Sequence, residues 1–137
     1  MAASNFRQIL RVLVDHGVEF VVVGGVSAVL QGAPVNTFDL DVVHSTEATN
    51  IAKLRRALGE ISCLDAESPL RARGSVGDRA GYRELVGEAD RMDIGDGLSL
   101  AVLNLVSLIR VKEATAGEKD NAMRPILKRT LAERGKK

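Results

Sequence analysis

The chain has 137 residues, 45% hydrophobic and 27% charged, with a formal net charge of +1. That balance fits a single globular domain and excludes a disordered chain, and so small a net charge excludes a whole-molecule field drawing the protein onto nucleic acid or an anionic membrane. Aromatic residues, at 3% with no Trp, are too scarce for a base-stacking platform, so the core must be built from Val, Leu, Ile and Ala.

The N-terminus carries no apolar stretch suited to a signal peptide. Ser4 is placed to cap a helix reaching about Asp15, with Phe6, Ile9, Leu10, Leu13 and Val14 on one face and Gly17 ending it. Glu19 to Val23 reads as a buried strand, a short β-branched run between glycines. It is far too short to span a bilayer, and the expected location is the cytoplasm. Gly24-Gly25 turns the chain into a second helix, about Val26 to Gln31, ended by Gly32 and the turn at Pro34. Phe38 to His44 is the second strand, with carboxylates interrupting its apolar run.

Ser45 or Thr46 caps a long amphipathic helix with Ile51, Leu54, Leu58 and Ile61 inward and Lys53, Arg55 and Arg56 outward. Cys63 is the lone cysteine, so no internal disulfide or Cys-based zinc site exists in this chain. Ser62 to Ala80 is polar and reads as loop. Tyr82 to Val86 fits a short helix or a strand. Arg91 to Ile94 and Leu98 to Leu103 read as strands around Gly95-Asp96-Gly97. Asn104 caps a helix to about Ala116, and a last helix runs from about Glu118 to Glu133. The expected organisation is one α/β or α+β domain over residues 1–134, with a mixed sheet and helices packed against it, and a frayed tail at 135–137.

Two features carry chemistry. Asp39 and Asp41 alternate on a strand and so share a face, roughly 7 Å apart at Cα. Like charges held there repel, and a divalent cation such as Mg²⁺ offsets that, taking carboxylate and phosphate oxygens together. Two solvated acids near a strand end are the plainer alternative. Gly24-Gly25-Val26-Ser27 runs from strand to helix, which lets a phosphate approach the backbone, with the Ser27 hydroxyl as a further donor. A simple tight turn is the alternative there. His44 has the opposite parity from the two acids, which favours a capping or partly buried role over metal ligation.

The combination is more specific than its parts. The stretch from Val22 through Gly24-Gly25, Gly32-Ala33-Pro34 and Thr37-Phe38-Asp39-Leu40-Asp41 to Val43 resembles the nucleotidyltransferase superfamily. It is most similar to small bacterial proteins related to abortive-infection nucleotidyltransferase toxins. Val102 to Leu105, Leu108 to Ala114 and Glu118-Lys119-Asp120 resemble the helical tail of those proteins. The resemblance implies a nucleotidyltransferase-like fold and Mg²⁺-dependent transfer of a nucleoside monophosphate from a nucleoside triphosphate to an acceptor. The acceptor would be a small molecule, a tRNA or a protein.

It also implies that Asp39 and Asp41 hold the metal and that Gly24, Gly25 and Ser27 bind phosphate, with Lys112 reaching the triphosphate. A lapsed relative would instead bind nucleotide or a partner protein, in a toxin–antitoxin or phage-defence pair or as a homodimer. No membrane partner is implied.

The family's third carboxylate stands on a strand beside the Asp-x-Asp strand, where it completes a second metal site or takes the acceptor's proton. Asp93 has the matching local setting, between apolar residues, and Asp78 is the other candidate. The family's basic residue before Thr37 is replaced here by Val35-Asn36, and Gln31 stands where a His is common.

Overall fold

The computed structural model describes residues 2–33, 39–64, 69–76, 80–95, 97–114 and 118–134. The elements, in chain order, are α1 (Ala2–Asp15), β1 (Phe20–Val23), α2 (Gly24–Leu30), β2 (Leu40–His44), α3 (Ala48–Leu64), β3 (Leu70–Arg73), β4 (Ser75–Val76), β5 (Ala80–Gly81), α4 (Tyr82–Val86), β6 (Ala89–Asp93), β7 (Ser99–Leu103), α5 (Leu105–Ala114) and α6 (Glu118–Arg134). The fold is mixed α/β. A five-stranded sheet has the order β3-β2-β1-β7-β6, and β4 and β5 form a separate antiparallel pair.

The sheet is mixed because the connections differ. A long helix, α3, lets β3 return parallel to β2, whereas the tight turn at Gly95–Gly97 leaves β6 and β7 antiparallel. β1 is antiparallel to β2 and parallel to β7. All four residues of β1 are buried, as expected of a central strand covered on both faces.

One face packs on α1 and α3. There Phe6, Leu10, Leu13, Leu54 and Ile61 meet Phe20, Val22, Leu40, Val42, Leu100 and Val102. The other face carries the short helices and the C-terminal pair, with Ala28, Leu85, Leu105, Leu108 and Leu127 on Val21, Val23, Val43 and Leu103. Asn50, buried on α3, ties the strand ends together. It accepts from the Glu19 amide (2.7 Å) and donates to the Glu19 and Ser45 carbonyls (3.1 and 2.8 Å).

Several boundaries differ from the sequence reading. α1 begins at Ala2, ahead of Ser4, and α2 begins at Gly24 itself. The largest correction lies in Ser62 to Ala80. Its described residues are not loop throughout: α3 extends to Leu64, and β3, β4 and the start of β5 lie within it. The four residues of β3 alternate half-buried and exposed, because an edge strand buries only one face. Asn104 caps α5 as expected, accepting from the Ser107 amide at 2.8 Å. The proposed tail at 135–137 lies outside the described residues. Among the described residues, no helix is long and apolar enough to cross a membrane.

Candidate functional site

The site lies where β1 ends and β2 begins. The antiparallel register pairs Val23 with Asp41, so the chain leaves β1 into Gly24 directly beside the Asp41 side chain. Gly24 has φ +69°, a conformation that favours glycine, and a Cβ built there would meet Asp41 Oδ2 at 2.6 Å. The glycine is therefore required both by its backbone angle and by the carboxylate packed against it. Oδ1 of Asp41 is buried and accepts no hydrogen bond from a described residue, while the residue as a whole remains engaged in other polar interaction.

Asp39 lies just before β2 and is half-exposed. Its Oδ2 is 3.2 Å from an Arg71 guanidinium nitrogen. Arg71 comes from β3, where the parallel register sets it directly opposite Asp41. Arg71 and Arg73 thus share the sheet face of Asp41, on the strand adjacent to β2. That is the place where the resemblance calls for a third carboxylate, and a guanidinium stands there instead.

Asp93 is not brought to this site. It ends β6, three strand positions from β2, on the order of 14 Å away by strand spacing. It also pairs with Ser99 at the start of β7, the end of the sheet away from Leu103 and Val23. Its Oδ1 accepts the Gly95 amide at 2.9 Å and so shapes the β6–β7 turn. Asp78 lies outside the described residues.

Ser27 is likewise not presented to a phosphate. It is wholly buried, and its hydroxyl donates to the Leu103 carbonyl at 2.8 Å. Gln31, one helical turn on, donates through Nε2 to the same carbonyl at 2.7 Å and to the Ser27 carbonyl at 3.0 Å. These two side chains clamp α2 to the end of β7 and thereby fix Gly24 and Gly25 at the corner. Gly25 is half-buried there. Lys112 belongs to α5, and its side chain lies outside the described part of the structure. His44 is on the opposite sheet face, level with Phe20, and its Nδ1 is 3.1 Å from the Ser45 carbonyl.

The donor set suits one kind of cation. Among the described residues, no group of three or more His, Cys, Asp or Glu side chains stands together. Two carboxylates suit a Mg²⁺ that arrives with a triphosphate and keeps waters, since such an ion needs only one or two protein carboxylates. They do not amount to a complete two-metal site.

The sequence marks Arg71, with Arg73 and Arg79, as a basic cluster but does not place it beside Asp39 and Asp41, because β3 read as loop. The signal was present in the alternation Leu70-Arg71-Ala72-Arg73, an apolar–polar repeat of period two. Compared with protein-family models and with curated proteins, the chain matches none.

Proposed function

We propose that the chain is a nucleotidyltransferase-like domain that binds a nucleoside triphosphate with Mg²⁺ at the Gly24–Asp41 corner and does not itself complete nucleotidyl transfer. The observation that carries this reading is the Arg71–Asp41 register, with Arg71 3.2 Å from Asp39. A guanidinium has five donors, no acceptor and no accessible deprotonation. It can neither ligate a second metal nor take a proton from an acceptor hydroxyl. It can hold a phosphate oxygen through charge-assisted bonds, which a carboxylate cannot.

Asp39 and Asp41 would hold the metal, which supplies charge neutralisation to the triphosphate when bound. Gly24 lets the backbone pack directly against the Asp41 carboxylate, and the Ser27–Gln31 clamp fixes that corner against the end of β7. Arg71, paired with Asp39 in the free protein, would hold a phosphate oxygen there.

Thermal melting with Mg²⁺ and each of the four nucleoside triphosphates tests the reading. A ligand at a hundredfold its Kd adds about 2.7 kcal/mol to the native state. The expected result is a Mg²⁺-dependent rise that Asp41→Asn abolishes, with no pyrophosphate released. Absence of any rise with all four triphosphates would sink the proposal.

A second reading, full transfer to a small molecule, tRNA or protein, is favoured by the close packing of Asp41 on Gly24, which sets one of the two proposed metal-holding carboxylates against the corner. The missing base would then come from the acceptor or a partner chain. Pyrophosphate release on adding such an acceptor distinguishes it.

A further inference from the structure

At the end of the sheet away from Asp41, β1 and β7 part. Their parallel register holds Val22 against Val102, but Phe20 and Leu100 are not paired. A cleft of about 410 Å³ opens between them, lined by Val14, Val18, Phe20 and Leu100 below and by Glu19, Tyr82 and Arg91 above. That volume lies within the range of small-ligand sites, on the order of 300–1,000 Å³.

The polar groups are disposed in an informative way. Glu19 precedes β1, and Arg91 is on β6, two strand positions away and level with Val21, about 12 Å at Cα by strand spacing and rise. Burial raises the pKa of the half-buried Tyr82 phenol, Glu19 raises it further and Arg91 lowers it. Yet among the described residues neither Glu19 nor Arg91 forms a side-chain ion pair or hydrogen bond. Three arginines elsewhere on the surface do pair, Arg83 with Glu47, Arg110 with Glu88 and Arg71 with Asp39, whereas among the described residues Arg55, Arg56 and Arg73 resemble Arg91 in forming no such pair. Here an acid and a base face one apolar-floored cleft at a separation that a small ligand would bridge.

We infer that this cleft binds a small zwitterion, an aliphatic α-amino acid, with its ammonium on Glu19, its carboxylate on Arg91 and its side chain on the floor formed by Val14, Val18, Phe20 and Leu100. The neutral Tyr82 hydroxyl donates to the ligand carboxylate. A ligand with both charges meets both side chains at once, whereas one with a single charge meets only one of them. The site is independent of the triphosphate corner, since it lies at the other end of the strands.

Calorimetric titration of the full chain with leucine, isocaproate and isoamylamine tests this. The two analogues keep the leucine side chain and lack the ammonium and the carboxylate respectively. Leucine is expected to bind, and each analogue to bind at least about tenfold more weakly, a difference of roughly 1.4 kcal/mol. Glu19→Gln and Arg91→Gln should each weaken leucine by a similar factor while leaving the melting temperature of the free protein unchanged, since both side chains are exposed. Asp41→Asn should leave leucine binding intact, so failure of the triphosphate reading and failure of this one are separable. No leucine heat at millimolar concentration, or analogues that bind as well as leucine, would overturn the inference.

Discussion

The two edge strands of the sheet, β3 and β6, make an instructive pair. β6 carries Asp93 between apolar neighbours, the local pattern wanted for a metal-binding acid. β3 carries Arg71 in a stretch whose polarity suggests a loop. The lateral order reverses their importance: β3 lies beside β2, and β6 lies beyond β1 and β7. Asp93 closes a turn through Gly95, while Arg71 faces Asp41 and binds Asp39. Membership of a site is decided by which strands are neighbours, and local residue pattern does not carry that information.

The largest expected effect sharpens the difference in packing between the interior of the sheet, where β2 lies, and its edge at β6. Leu40 on β2 is wholly buried beneath the acidic pair, and Leu40→Ala should cost roughly 2–5 kcal/mol through transfer and cavity terms, read from the urea midpoint. Met92 on β6 is only partly buried, and Met92→Ala should cost clearly less in the same measurement. Equal losses would mean that the β6 edge contributes to the core as much as the interior strand does.

Next comes the corner itself. Gly24→Ala forces a side chain into a positive-φ position and against Asp41, and should cost about 1–3 kcal/mol. It should also abolish any Mg²⁺-triphosphate shift in melting temperature, because relief of that clash moves the carboxylate. Wild-type nucleotide response in Gly24→Ala would remove Gly24 from the site.

A third test exchanges the character of the two edges. Arg71→Asp places an acid beside β2. Without metal, its three clustered carboxylates should lower stability by about 1 kcal/mol, a value limited by the half-exposed setting of the Arg71–Asp39 pair. With Mg²⁺ the variant should recover that loss and respond more steeply to metal than wild type. Asp93→Asn should change neither response. A Mg²⁺ effect at Asp93 and none at Arg71→Asp would invert the assignment.

Much of the fold was readable because its signals are local. The β1 run Phe20-Val21-Val22-Val23, the Asn104 cap and the Gly95–Gly97 turn each fix their element within a few residues. The adjacency of Gly24 to Asp41 was also foreseeable, as a strand–helix–strand unit tends to bring consecutive strands together. Ser27 misled because a hydroxyl after two glycines suits a phosphate, and only the position of Leu103, 76 residues away, shows that it is already committed. β3 was hidden because four residues with charged alternates resemble loop composition, and its meaning rests on register with β2, which only the folded sheet supplies.

The smallest effect tests the far end of the same strands. Tyr82 is the only tyrosine and there is no Trp, so its phenol can be followed directly by ultraviolet titration. Burial raises its pKa above the ordinary value of 10.0, Glu19 raises it further, and Arg91 lowers it in part. A folded-state value above the unfolded one means that the fold retains the phenol proton. The associated stabilisation is full below pH 10.0 and is lost as pH rises from there through the folded value. Glu19→Gln should bring the titration down and Arg91→Gln should push it up, while Asp39→Asn, at the other end of the sheet, should leave it in place. A phenol that ignores both Glu19 and Arg91 would mean that the cleft does not gather those three side chains, and the contrast between the proposed anion-binding corner at one end of β1 and the proposed ligand cleft at the other would lose its second half.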